Sequence, residues 1–199
     1  GTTNYQYSLN GGIQQASNTY SNLGSGVYTI QVTDANGCTT TSTQNISAPN
    51  APSFTTATST DVSCNGGNDG TITVQTTGGT NPINYNLQPT NQTNLSGSFT
   101  NLAANTYTIT ATDLNGCSVQ TQLTIAEPTV LSWTSATGTN ISCNGGSDGT
   151  ITSQATGGTG TINYTLQPTN QTNTTGSYSN LAANTYTITA TDQNGCTTT

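Results

Sequence analysis

Not one lysine, arginine, histidine or methionine occurs among the 199 residues of this chain, and its only charged side chains are seven carboxylates. A surface without cations cannot make the phosphate contacts on which nucleic-acid binding depends. The same lack removes any attraction to anionic membrane surfaces. Without histidine or lysine, a serine, threonine or cysteine nucleophile has no ordinary base beside it, which excludes the common forms of covalent catalysis. Long hydrophobic runs are also missing, so no segment reads as a membrane span. Only 29% of the residues are hydrophobic, a share close to that of disordered chains. Disorder, however, goes with a high density of charge, and only 4% of this chain is charged. Periodicity has to decide.

It does so at two scales. The separations Cys38 to Cys117, Cys117 to Cys196, Cys64 to Cys143 and Phe54 to Trp133 are all 79 residues, the mark of a tandem array. Aligned from Ser63 to Cys117 and from Ser142 to Cys196, two copies differ at 11 of 55 positions. A third, more divergent copy runs from Asn4 to Cys38 with one residue deleted. Pro49 and Pro128 stand at equivalent places before the next Phe54 or Trp133. The joints placed there give a partial repeat over 1–49 without its N-terminal strands, a complete repeat over 50–128, and a repeat over 129–199 lacking most of its last strand. That phase suits a window from a longer array, with any signal peptide or anchor lying elsewhere.

The small period is two. In "TYTITATD" Tyr107, Ile109 and Ala111 fall on one face and Thr106, Thr108, Thr110 and Thr112 on the other, the alternation of a half-buried antiparallel strand. The same reading predicts strands near 54–63, 70–77, 82–88, 97–102 and 118–126, separated by Gly, Asn and Pro turn signals. "DANG", "DLNG" and "DQNG" each mark a hairpin. Counting a brief edge strand gives seven per period, hence an all-β fold of tandem immunoglobulin- or fibronectin-like antiparallel sandwiches arranged as a rod. The expected core is Ile72, Val74, Ile83, Tyr85, Leu87, Leu102, Tyr107, Ile109, Leu123 and Ile125, with Ser153 replacing Val74 in the last copy. So small a core predicts marginal stability without neighbours or cross-links.

The most conspicuous motif, "SCNGGNDGTIT" from Ser63, returns as "SCNGGSDGTIT" from Ser142. As a phosphate cradle it lacks both a following helix and a basic residue. A tight turn explains Gly66, Gly67 and Gly70 more simply. Calcium needs six to eight oxygen ligands, whereas each repeat offers one aspartate per loop: Asp69 or Asp148 in one, Asp113 or Asp192 in the other. Turn capping is the better use of them. No catalytic, cofactor-binding or metal-binding residue is therefore assigned. Exposed threonine rows admit an ice- or polysaccharide-binding surface, although a seven-stranded sandwich twists away from flatness.

Taken together, "VSCNGGNDGTITVQTTGGTNPINYNL", "FTNLAANTYTITATDLNGC" and "LTIAEP" resemble the SprB-type repeat of giant cell-surface adhesins of gliding Bacteroidota. The resemblance implies an extracellular, cell-surface filament exported by type IX secretion and used in adhesion or gliding. Its partners would be neighbouring repeats of one long chain, other copies in a filament, and surface glycans. An inert stalk or sheath fibre with no ligand of its own is the alternative, because near-identical copies present identical surfaces.

In an extracellular array, two cysteines per period read as a disulfide framework. With an even strand count, the end of the first strand and the start of the last share one end of the domain, giving Cys64 to Cys117 and Cys143 to Cys196 within repeats. With seven strands they lie at opposite ends, and Cys64 would meet Cys196 across a joint. Free or interchain thiols complete the alternatives. Under either scheme the partner of Cys38 lies outside these residues.

Overall fold

The computed structural model describes residues 3–199, and among them every regular element is a β-strand. Two compact units form, Gly1–Asn50 and Ala51–Thr199. The first holds β1 (Gln6–Leu9), β2 (Gly26–Thr33) and β3 (Thr39–Ile46) in an antiparallel sheet of order β1-β2-β3. All of β3 is exposed.

The second unit contains two sandwiches. Residues 51–128 supply β4 (Ser53–Thr60), β5 (Gly70–Thr77), β6 (Asn84–Gln88), β7 (Gln92–Asn94), β8 (Ser98–Leu102), β9 (Asn105–Thr112) and β10 (Ser118–Ile125). They pair as β4-β5-β8 and β10-β9-β6-β7, the three-on-four arrangement of an immunoglobulin-like sandwich. Alternation places Tyr107, Ile109 and Ala111 of β9 in the core while Thr106, Thr108, Thr110 and Thr112 stay outside or at the margin. From β5 come Ile72 and Val74, from β6 Tyr85 and Leu87, and from β8 Phe99 and Leu102, all buried. Val62 and Phe99 are core residues beyond those the strand pattern selects, and Leu123 is only partly buried. Val62 lies beyond the end of β4, where loop packing rather than strand alternation decides burial.

The repeated Leu-Ala-Ala-Asn-Thr-Tyr stretch closes the corner between β8 and β9. Tyr107 Oη donates to the carbonyl of Ala103 at 2.9 Å, and Tyr186 repeats the bond to Ala182. Tyr28 makes the same contact with Gly24 in the first unit. This is the tyrosine corner that ties a tyrosine near the start of one strand to the backbone just upstream. The abundance of asparagine has a local cause as well: every described non-glycine residue with positive φ is Asn, including Asn91, Asn101, Asn170 and Asn180. Asparagine tolerates the left-handed region better than other chiral residues. Asn94 and Asn173 act differently, each accepting from the backbone of the following turn and donating back to it.

Residues 129–199 repeat the design with β11 (Ser132–Thr139), β12 (Gly149–Thr156), β13 (Asn163–Gln167), β14 (Gln171–Asn173), β15 (Ser177–Leu181), β16 (Thr187–Thr191) and β17 (Thr197–Thr198). The sheets are β11-β12-β15 and β14-β13-β16-β17. Ser153, in the place of Val74, is fully buried, and its hydroxyl donates to the carbonyl of Gly176. Tyr178, in the place of Phe99, is less well served. Its hydroxyl is buried without a hydrogen-bond partner, and that burial, with Tyr164 nearby, raises its pKa. An unpaired buried hydroxyl costs about 1–3 kcal/mol. Tyr178→Phe should therefore stabilise the third repeat by about 1 kcal/mol in chemical denaturation; a loss of stability would show that the hydroxyl is satisfied.

Candidate functional site: the joint between repeats

The "SCNGG" loop of the second repeat sits where that repeat meets the third. Leaving β4, the chain is pinned by Val62 N–H to the carbonyl of Ala126 (3.1 Å) and by Ala126 N–H to Asp61 Oδ1 (2.8 Å). The loop then turns on itself, with Gly67 N–H donating to the carbonyl of Cys64. Asp69 closes it from the far side by accepting from the backbone and hydroxyl of Ser63. Gly66 adopts φ +72°, which a side chain would resist, and points its N–H at Glu127 Oε2 (2.7 Å). Asn65 donates to the carbonyl of Pro128 (3.0 Å). The loop thus grips the linker that leads into the next repeat.

From the other side comes the Asp192–Cys196 hairpin of the third repeat. Its turn carries positive φ at Gly195, and Gly195 N–H returns to the carbonyl of Asp192. Asp192 Oδ1 accepts from the N–H groups of Asn194 and Cys196, while Oδ2 accepts from Thr159 N–H (2.7 Å). Held this way, Asn194 Nδ2 donates across the joint to the carbonyl of Ser63 (2.9 Å). Cys196 is bonded to Cys64, with Cα atoms 5.7 Å apart.

Cys117 and Cys143 are exposed and unbonded, as is Cys38. The structure does not join Cys64 to Cys117 or Cys143 to Cys196. Parity explains this. β10 carries the chain eight residues away from Cys117 before Ala126 reaches Val62. At about 3.3 Å per residue that is roughly 26 Å, against a disulfide Cα span of about 4.4–6.8 Å.

Both halves of the joint are already shaped where no bond is made. Ser142, Asp148, Cys143 and Gly146 repeat the loop bonds. Asp113 and Asp34 cap their hairpins as Asp192 does. Sequence reasoning missed Asp61, Asn65, Glu127 and Asn194 as joint residues. Asn65 and Asn194 recur with the period and could have been found; Ala48 stands at the position equivalent to Glu127, so no repeat signal marks that carboxylate.

The aspartates carry a pH dependence. The Ser63 hydroxyl holds Asp69 below the usual carboxylate range, as Ser142 does for Asp148. Thr80 N–H leads the donors that lower Asp113. Burial works to raise Asp192, but its backbone donors prevail and the net direction is down. Folded values below the ~3.9 of a free aspartate contribute stability that is complete above that value and lost as pH falls through the folded values. With no basic side chain, acid adds almost no positive self-repulsion. The melting temperature should stay level from about pH 7 to 5 and fall below about pH 4. Replacing Asp113 and Asp192 by Asn should lower it at neutral pH and shrink the acid drop, and a melting temperature that rises in acid would contradict the capping account.

Elsewhere the polar face of β9 and β10 is bonded to itself: Gln120 to Thr110, Gln122 to Thr108 and Thr106 to Thr124. Among the described residues, no group of three or more His, Cys, Asp or Glu side chains is placed to hold a metal ion.

Comparison with known proteins gives two kinds of match. A solved structure of Sidekick-1 immunoglobulin domains 1–5 aligns with 98% of the chain at 14% identity and a TM-score of 0.34, and the chain spans 50% of its length. None of the curated proteins matches. Residues 56–92 and 135–171 each match the SprB repeat family. These segments run from β4 to β7 and from β11 to β14 and include both "SCNGG" loops. The two matched segments begin at equivalent positions of the 79-residue period, so the resemblance to the SprB repeat recurs in tandem.

Proposed function

We propose that this chain is a repeat segment of an extracellular surface-adhesin filament, a mechanical rod that serves adhesion or gliding. The observation that carries the reading is the bridge from Cys64 to Cys196, which fastens one repeat to the next instead of reinforcing either. A covalent joint between modules suits a load-bearing fibre. Its cysteines fit an oxidising, extracytoplasmic compartment, and the two matches to the SprB repeat fit a surface adhesin. In the "SCNGG" motif Ser63, Cys64, Asn65, Gly66, Gly67 and Asp69 each have a structural duty, from linker grip to turn closure. The chain is thus a structural module and not an enzyme, with neighbouring repeats as its first partners and surface glycans or other copies as further ones.

Antibody raised against the chain should label intact, unpermeabilised cells that make it; labelling only after permeabilisation would end the proposal. Immobilised on beads, the chain then separates an adhesive segment, which binds cells, glycans or glass, from an inert stalk, which binds none.

A further inference from the structure

One open groove belongs wholly to the second repeat, a sandwich with all seven of its strands. It has a volume of about 450 Å³ and is lined among others by Thr76 of β5, Tyr85 of β6, and Asn81, Pro82, Ile83 and Leu95 of the connecting turns. Small-ligand sites usually measure about 300–1,000 Å³. Buried Tyr85 and Ile83 form the floor, while Asn81, Pro82 and Leu95 stand exposed around it. Leu95 is 66% exposed, an aliphatic side chain that the core does not use. Thr76 Oγ1 and Tyr85 Oη share a hydrogen bond of 2.7 Å, and two hydroxyls with one bond between them keep one O–H to donate elsewhere. The second and third repeats differ at 11 of 55 aligned positions, yet four of those changes fall on the eight residues of this groove, where an even spread would put one or two. Thr76, Asn81, Pro82 and Leu95 give way to Ala155, Gly160, Thr161 and Thr174. The sandwich does not demand the exchange, because the third repeat builds the same two sheets with the other set.

We propose that this groove binds a neutral polysaccharide through a pyranose ring whose hydroxyls are equatorial. The assignment deepens the adhesin reading and rests on it for the class of ligand. Charge is the first constraint. All seven carboxylates stand in loops beyond strand ends, none of them lines the groove, and the chain has no basic side chain. A charged ligand would therefore leave water without meeting a counter-charge. A pure hydrocarbon fits no better, since Asn81 and the Thr76–Tyr85 pair would be left without partners. A ring with equatorial hydroxyls meets both demands. Its faces carry only C–H groups, to lie against Pro82, Ile83 and Leu95, and its rim carries the hydroxyls that Asn81 and the Thr76–Tyr85 pair can bond. Topology disfavours a peptide strand: β5 and β6 are each an inner strand of their sheet, so the groove offers no sheet edge to extend. In the third repeat Gly160, Thr161 and Thr174 take away the amide and both exposed apolar walls. One repeat thus takes the ligand and its near copy does not.

The test uses the whole oxidised chain, isotope-labelled for amide NMR, and cellohexaose, a neutral oligosaccharide with equatorial hydroxyls. Saturable one-to-one binding is expected, with shifts at amides between Thr76 and Tyr85 and at Leu95, and none between Ala155 and Tyr164. Pro82→Thr combined with Leu95→Thr puts the third repeat's residues into the groove, so the fold is kept. That variant should bind at least about tenfold more weakly, since two apolar contacts are lost. Hexagalacturonate, with a carboxylate on every ring, should not bind. Absence of saturable binding, equal binding by the double variant, shifts shared by the third repeat, or preference for an uncharged peptide of alternating serine and leucine at the same residues would each overturn the assignment. Any of these leaves the filament reading standing, which surface labelling of intact cells decides separately.

Discussion

Pulled by its two ends, the oxidised chain should yield no extension from the residues between Cys64 and Cys196. The bridge spans 132 positions of sequence, and force that reaches Cys64 crosses to Cys196 without loading the backbone between them. Only the first unit, β4 and the last few residues remain on the load path. Reduction puts the intervening residues back on it. At about 3.3–3.6 Å per extended residue, the contour length should grow by roughly 450 Å. Single-molecule stretching before and after a reductant reads this directly, and Cys64→Ser should behave as the reduced chain does under both conditions. An oxidised chain that releases the length of a whole repeat under load would mean that the joint is not covalently bridged. In a filament the arrangement keeps every strand between the bridged cysteines off the load path, so that of the second core only β4 and Val62 bear force.

The second large effect separates two residues that the repeat makes equivalent. Ile46 and Ile125 lie 79 positions apart and each ends its strand. Ile125 is 1% exposed, Ile46 38%. Ile125→Ala removes buried methyl groups and leaves a cavity against Gly70, which should cost the second repeat about 2–5 kcal/mol. Ile46→Ala should change stability by no more than about 0.5 kcal/mol, as surface substitutions do. Urea unfolding of the oxidised chain checks both. Equal effects would mean that β10 does not seal the core as described.

That pair also marks the limit of what could be read from residues alone. Alternation in β9, the capping aspartates and the turn asparagines are properties of neighbouring residues, and the 79-residue period is visible without any folding. Those signals determined an all-β chain of repeated strands and located most of the core. They also identified the "SCNGG" glycines as a turn, because a tight loop needs them wherever it stands. The long-range choices came only with the tertiary structure. Whether Cys64 meets Cys117 or Cys196 depends on which end of a sandwich each strand reaches, and therefore on how seven strands pair across two sheets. Whether an isoleucine in a given strand is buried depends on a second layer being present above it, which is why Ile125, packed against Gly70 of the facing sheet, is 1% exposed. Local preference specifies the strand; burial and bonding are properties of the partners that the fold brings to it.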